Sequence, residues 1–481
     1  MSTHTYDLIV IGAGPVGENV ADRARQGGLS VAIVERELVG GECSYWACMP
    51  TKALLRSAAA LRTARQVPGA REAVTGALDP AAVLQRRNAF ASDWKDDGQA
   101  SWLEQAGIEL FRGQGRIVSP RVVEVDSTIT LTARHAVVIA TGSSALVPEI
   151  SGLREARPWT SREATATQRL PKNLAIIGGG VVASEMATAF AELGSSVTVL
   201  ARDGILPAVE PFAGQLVTES LRAAGVTVRV GAQVSNVHRS GEGLLHLTLA
   251  DGETIAFDEL LVATGREPNT HDLGLDRIGL TPGDWLAVDD TLRVLDADGT
   301  PVDWLYAAGD VNHRVLLTHQ GKYQARALGD ALAARAAEEP LDYRPWGRHA
   351  LTADERAVPQ VIFTSPEVAA VGLTAAAAAA AGLAVRVVDY DLATVAGAAL
   401  HSEGYRGQAR MVVDEDRQVI VGFTLVGPDV GELIHAATIA IVGEVPLDRL
   451  WHAVPAFPTV SEVWLRLLEA ARAGDQSPAG N

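Results

Sequence analysis

The sequence predicts an α/β protein, with two nested dinucleotide-binding domains of the Rossmann type followed by a separate α+β domain. Three observations carry that reading. Two glycine fingerprints each stand between an apolar strand and a helix, three further strands end in glycine turns, and the strand and helix pattern lengthens from about Val358. A chain of 481 residues has room for about three to four domains, and its 46 glycines exceed the ordinary share of about 7%, as a fold with many tight turns requires.

The run Tyr6–Ile11 (YDLIVI) reads as a buried strand that passes into Gly12-Ala13-Gly14-Pro15-Val16-Gly17, with a helix over Glu18–Arg25 and a second strand, Val31–Val34, ending on Glu35. Strand, glycines, helix, strand and acid form a complete βαβ fingerprint. Gly12, Gly14 and Gly17 allow the turn and the close approach of a pyrophosphate to the helix N-terminus, and Glu35 is placed to accept ribose hydroxyls. The unit recurs at Leu174–Ile177, with Gly178, Gly180 and Ala183 in the fingerprint positions, a helix through Glu192 and a strand Val197–Leu200. Two dinucleotide sites are therefore expected.

Two matching strand ends, Val137–Gly142 (VVIATG) and Leu260–Gly265 (LLVATG), and a third, Leu305–Asp310 (LYAAGD), return the chain to the first domain. The expected boundaries are 1–150 for the first part of domain one, 151–275 for the second nucleotide-binding domain, 276–347 for the return segment and 348–481 for the C-terminal domain. In that last region strands are expected at Ala409–Val413 and Val419–Val426, and helices at Gly431–Val442 and Ser461–Ala471. The uncharged stretch Val368–Val385 has the length of a membrane span, but its alanines and Gly372, Thr374 and Gly382 read as a short strand followed by an alanine-rich helix.

Lys+Arg 41 against Asp+Glu 58 gives −17, which argues against nucleic acid as a partner because phosphate binding draws on basic patches. No membrane insertion is expected, the N-terminus lacks a basic leader, and the expected location is cytoplasmic. Cys43 and Cys48 are the whole cysteine complement, too few for a structural framework. They are either idle thiols or a redox pair. In an ideal helix residues five apart have Cα atoms roughly 8–9 Å apart, beyond the ~7 Å limit for a bridge. Pairing them needs a distorted turn, which Gly40-Gly41 and Pro50 permit.

Over nearly its whole length, Tyr6 to Glu469, the chain resembles the pyridine nucleotide–disulfide oxidoreductases, the family of lipoamide dehydrogenase, glutathione reductase and mercuric reductase. The resemblance rests on GAGPVG, GGECSYWACMPTK at Gly40–Lys52, both ATG strand ends, GGGVVASE, LYAAGD, PQVIFTSPEVAAVGLT at Pro359–Thr374, VGPDVGELI at Val426–Ile434 and FPTVSE at Phe457–Glu462. It implies FAD, a nicotinamide donor, a redox-active Cys43–Cys48 disulfide and a homodimer built on the C-terminal domain. Cys43 would be the outer, interchange thiol and Cys48 the inner one that exchanges electrons with the flavin. Lys52 would approach the flavin, paired with Glu185, and stabilise negative charge there. Glu35 would bind the adenosine ribose. Asp310 would hold the ribityl chain, although an Asp at a strand end also serves as an N-cap.

The second fingerprint has Ala201 where an NAD site wants a carboxylate, and Arg202 follows. That pattern, and the likeness of VTVLAR to the corresponding strand of mercuric reductase, favours NADPH, with Asp203 arguing the other way and NADH the alternative donor. The clearest departure lies at the C-terminus. Disulfide reductases of the family carry His-Pro-x-x-Ser-Glu, the histidine moving a proton to the partner's thiols; this chain reads Phe457-Pro458-Thr459-Val460-Ser461-Glu462, which by the resemblance keeps Glu462 where a glutamate would orient that histidine. His452 is off the matching position. Mercuric reductase also lacks the histidine but has extra C-terminal cysteines, which this chain does not. Between the cysteines, Tyr45 and Trp46 either fill core or narrow the acceptor path.

The expected function is an FAD-dependent NAD(P)H oxidoreductase passing electrons to a small-molecule acceptor such as a quinone, with no metal. The alternatives are a disulfide reductase or dihydrolipoamide dehydrogenase with a substitute proton donor, and a flavoprotein that binds partners without turnover.

Overall fold

Leu8, Ile9 and Val10 are fully buried in succession on the strand Ser2–Ile11. A strand apolar on both faces belongs in the middle of a parallel sheet covered on both sides. In the computed structural model, which describes residues 2–475, that is its position. Met1 and residues 476–481, the last of them the end of the expected C-terminal domain, lie outside the described residues. The strand is flanked by parallel neighbours Ile129–Ile139 and Val31–Glu35, and the order continues to Pro301–Ala307 and Arg293–Leu295 on one side and Glu109–Arg112 on the other. Period-two alternation sorts the side chains. Leu8 and Val10 face the helices Pro15–Gln26 and Thr318–Ala336, while Ile9 and Ile11 join Ile117, Val123 and Leu131 on the opposite face.

This eight-stranded sheet and its helices form one compact unit, composed of the chain up to Pro50, Arg87–Leu146 and Gly265–Asp354. The second unit takes Thr51–Arg86, Val147–Thr264 and the chain from Glu355. It contains a four-stranded parallel sheet in the order Thr227–Val230, Ser196–Ala201, Asn173–Ile177, Glu259–Val262, with the helix Val181–Glu192 against it. A three-stranded antiparallel meander, Val234–Arg239, Leu245–Leu249 and Thr254–Phe257, accompanies it and was not anticipated; its strands are short and half-exposed. The same unit holds a five-stranded antiparallel sheet in the order Pro359–Ile362, Glu367–Gly372, Val419–Gly427, Gln408–Asp414, Val385–Asp391.

Val368–Val385 is strand then helix, as expected: Glu367–Gly372 pairs with Val419–Gly427, and Thr374 caps Ala375–Ala380 by accepting a hydrogen bond from Ala377 N. Among the described residues no helix is long and apolar enough to cross a membrane. The two C-terminal helices begin later than expected, each behind a 3₁₀ turn, at Ile434–Val442 and Val463–Asp475.

Candidate active site

The two fingerprints are built alike. Gly12 has φ +102°, and a Cβ there would stand 2.5 Å from the carbonyl oxygen of Ala140; Gly178 has φ +125°, and a Cβ would stand 2.2 Å from that of Ala263. Each first glycine thus lies against the ATG strand end of its own unit, which only glycine permits. Gly14 and Gly180 are the N-caps of Pro15–Gln26 and Val181–Glu192, and a Cβ on either would meet nothing within 4 Å. Both helix N-termini therefore present open backbone to an anion.

Glu35 is buried, and both its oxygens accept backbone N–H groups, from Ala13 at 2.7 Å and Glu37 at 2.8 Å. Burial raises its carboxyl and these two bonds oppose the rise. A cavity of about 130 Å³ opens beside it, lined also by Gly12, Arg36, Thr141, Asn269 and His271. Asp310 is held from a distance in sequence: Arg266 Nε donates to Ser143 Oγ at 2.6 Å, and that hydroxyl donates to Asp310 Oδ2 at 2.6 Å. Behind the turn, Gln324 Oε1 accepts from Gly309 N and Asn312 Nδ2, while its amide donates to Asp354. Glu18 Oε1 and Thr141 Oγ1 are buried in this unit without a hydrogen-bond partner. Open helix N-terminus, acid beside a cavity and orphaned polar atoms together fit an extended dinucleotide.

The cysteines meet through the distortion that the spacing demands. A five-residue helix, Gly41–Tyr45, breaks at Trp46 (φ −135°, ψ 0°), and Cys48 starts the helix Cys48–Arg65. Both are thiols in this structure, hydrogen-bonded to each other, and that bond followed by burial pushes the Cys43 thiol well above its ordinary value. Cys48 Sγ is 3.4 Å from Thr318 Oγ1. Tyr45 is core: it is 1% exposed, with its hydroxyl 2.8 Å from Gln99 Oε1. Trp46 meets it edge-on at 5.6 Å.

In the second unit Lys52 Nζ donates to Glu185 Oε2 at 2.8 Å. Ala183, two residues before Glu185, is fully buried on the same helix. Ala201 is fully buried at the end of its strand, and Arg202 projects into solvent with its Nε on Asp203 at 2.9 Å. Phe457 is 76% exposed. Glu462 is buried and engaged twice, by Arg466 Nη2 at 2.7 Å and Ala396 N at 3.3 Å. His452 is exposed.

Sequence reasoning missed Arg266, Ser143, Thr318 and Phe363. Arg266 follows Gly265 directly, and Ser143 follows Gly142, so adjacency to the ATG motifs was the available signal for two of them.

The family described as "Pyridine nucleotide-disulphide oxidoreductase" matches residues 6–325, and its dimerisation domain matches residues 358–468. The chain is similar to a mercuric reductase of Shigella flexneri, 34% identical over 96% of this chain and 80% of that protein. It is also similar to a dihydrolipoyl dehydrogenase of Thermus scotoductus, 35% identical over 98% of this chain and 97% of that protein. Among solved structures, the HOCl-induced flavoprotein disulfide reductase RclA from Escherichia coli shares the fold, with TM-score 0.80 and 24% identity over 96% of this chain and 99% of that one.

Proposed function

The chain belongs to the pyridine nucleotide–disulfide oxidoreductase family, FAD-dependent enzymes that use NAD(P)H, and from that premise we propose that it carries electrons from NADPH to a small non-disulfide acceptor such as a quinone. The balanced reaction is NADPH + H⁺ + quinone giving NADP⁺ and the hydroquinone. One observation carries the acceptor class: the position of the family's proton-moving histidine is Phe457, and the carboxylate that follows, Glu462, is already bonded to Arg466 and Ala396. A disulfide substrate releases a thiolate that must be protonated, and general acid catalysis is typically worth about 10²–10⁴ in rate. A quinone has no thiolate leaving group, and the H⁺ that completes the hydroquinone comes from solvent, so no acid is needed at position 457.

Bound FAD supplies the two-electron relay between nicotinamide and acceptor. The chain's own residues hold and orient. Glu35 receives the adenosine ribose, the open N-terminus at Gly14 receives pyrophosphate, and Asp310, aligned by Ser143 and Arg266, receives the ribityl hydroxyls. Lys52, compensated by Glu185, would supply a positive charge that stabilises negative charge developing in the reaction. Thr318 orients Cys48. Ala201 and Arg202 favour the 2′-phosphate of NADPH. The C-terminal domain, of the dimerisation type, pairs two copies.

A second reading, disulfide reduction or dihydrolipoamide oxidation with a substitute proton donor, is favoured by the intact thiol pair and its Thr318 contact. A panel of quinones, lipoamide and small thiol disulfides, each with NADPH and NADH, separates the two. Quinone kcat/KM at least ten-fold above that of every disulfide supports the first reading; a disulfide turned over faster than any quinone supports the second.

A further inference from the structure

Glu185 is 3% exposed and spans two donors. Oε2 receives the Lys52 ammonium at 2.8 Å, and Oε1 receives the backbone N–H of Phe363 at 2.9 Å. The same Phe363 turns its ring toward Lys52, with Nζ 5.0 Å from the ring centroid, inside the ~6 Å range of a cation–π contact. One residue therefore touches both members of the pair, the acid through its main chain and the base through its ring. The Phe363 side chain, half-buried, packs against the buried cluster of Leu54, Leu55, Val83, Leu84, Ala189 and Leu193, and such packing restrains a ring.

Lysine is a flexible four-carbon stem bearing a point charge. A single carboxylate fixes how far the ammonium lies from Glu185 but leaves its direction about that oxygen open. The aromatic face supplies a second restraint at an angle to the first. We propose that Phe363 is a positioning residue that aims the Lys52 ammonium, acting through its π face and independently of its apolar bulk. The consequence for electron transfer rests on the role given to Lys52 above; the restraint on Lys52 itself does not.

Phe363→Leu keeps the backbone N–H to Glu185 and an apolar side chain but removes the ring, whereas Phe363→Tyr keeps the ring. On the flavoprotein, acylation of Lys52 by a limiting amine reagent, read by peptide mass spectrometry, should rise roughly two- to five-fold in Phe363→Leu and stay at wild type in Phe363→Tyr. The rate of flavin reduction by NADPH should fall by a similar factor in Phe363→Leu only, and that loss should vanish when both proteins also carry Lys52→Met. Equal labelling of Lys52 in wild type and Phe363→Leu overturns the proposal. So does equal damage by Leu and Tyr, or a Phe363→Leu effect that survives in the Lys52→Met background. Should Phe363→Leu fail to accumulate, Phe363→Met gives the same comparison. A flavoprotein that NADPH does not reduce would refute the electron-transfer reading while the labelling result still decides the restraint.

Discussion

Arg466 donates to Oε1 of Glu462 at 2.7 Å from one helical turn further on. The carboxylate that would orient a histidine at position 457 is therefore held by a cation of the helix that follows it, and its other oxygen accepts Ala396 N. Restoring the base alone does not restore a free carboxylate.

Phe457→His should raise NADPH-dependent reduction of a small disulfide by about ten-fold, short of the roughly 10²–10⁴ that general acid catalysis typically provides, because Glu462 stays bonded to Arg466. Adding Arg466→Gln, which releases Oε1, should raise it several-fold more. Quinone reduction should stay within a few-fold of wild type in both. Steady-state assays with each acceptor check this, and a double variant no better than Phe457→His would show that Glu462 takes no part.

Arg202 is 77% exposed and shares its charge with Asp203. Arg202→Ala should weaken NADPH binding by about ten-fold, a charged hydrogen bond near the low end of its range because of that exposure, and leave NADH within two-fold. Asp203→Asn, which frees the guanidinium, should strengthen NADPH a few-fold. Equal losses for both donors in Arg202→Ala would remove the 2′-phosphate assignment.

Burial pushes the Glu18 carboxyl up to about 7; Lys322 lowers it in part and Glu35 raises it further. Its ordinary value is about 4.5, so the folded chain holds a proton that the unfolded chain has lost. Stability of the FAD-free protein from this group is intact below about pH 4.5 and declines as pH rises to about 7, by on the order of 3 kcal/mol. Thermal melts from pH 5 to pH 8 should show a falling midpoint that Glu18→Gln flattens. An unchanged slope in that variant would assign the decline to other groups.

What was legible in the sequence was what lies close along the chain. Gly12 to Glu35 is one βαβ unit, and its acid lies where the spacing put it. That pairing Cys43 with Cys48 needs a broken helix followed from geometry, since an ideal helix holds the two too far apart, while the pairing itself came from the resemblance. The pairing of Lys52 with Glu185 needed the family resemblance, because no local pattern links residues so far apart. The Arg266–Ser143–Asp310 chain draws on three separate segments, and Phe363 lies far along the chain from the Lys52 it meets. Tyr45 shows the limit from the other side: beside a redox pair it read as core or as acceptor path, and the fold makes it core, with its hydroxyl on Gln99. The capture of Glu462 by Arg466 was readable, being an ordinary i,i+4 pair.

Anaerobic titration of the oxidised flavoprotein with NADPH tests the electron path from nicotinamide through FAD to Cys48 and Cys43 most directly. Wild type should take up about four electrons per FAD, two in the flavin and two in the cysteine pair, and Cys48→Ser about two. A wild-type capacity of about two electrons, unchanged in Cys48→Ser, would contradict it and leave the thiols idle.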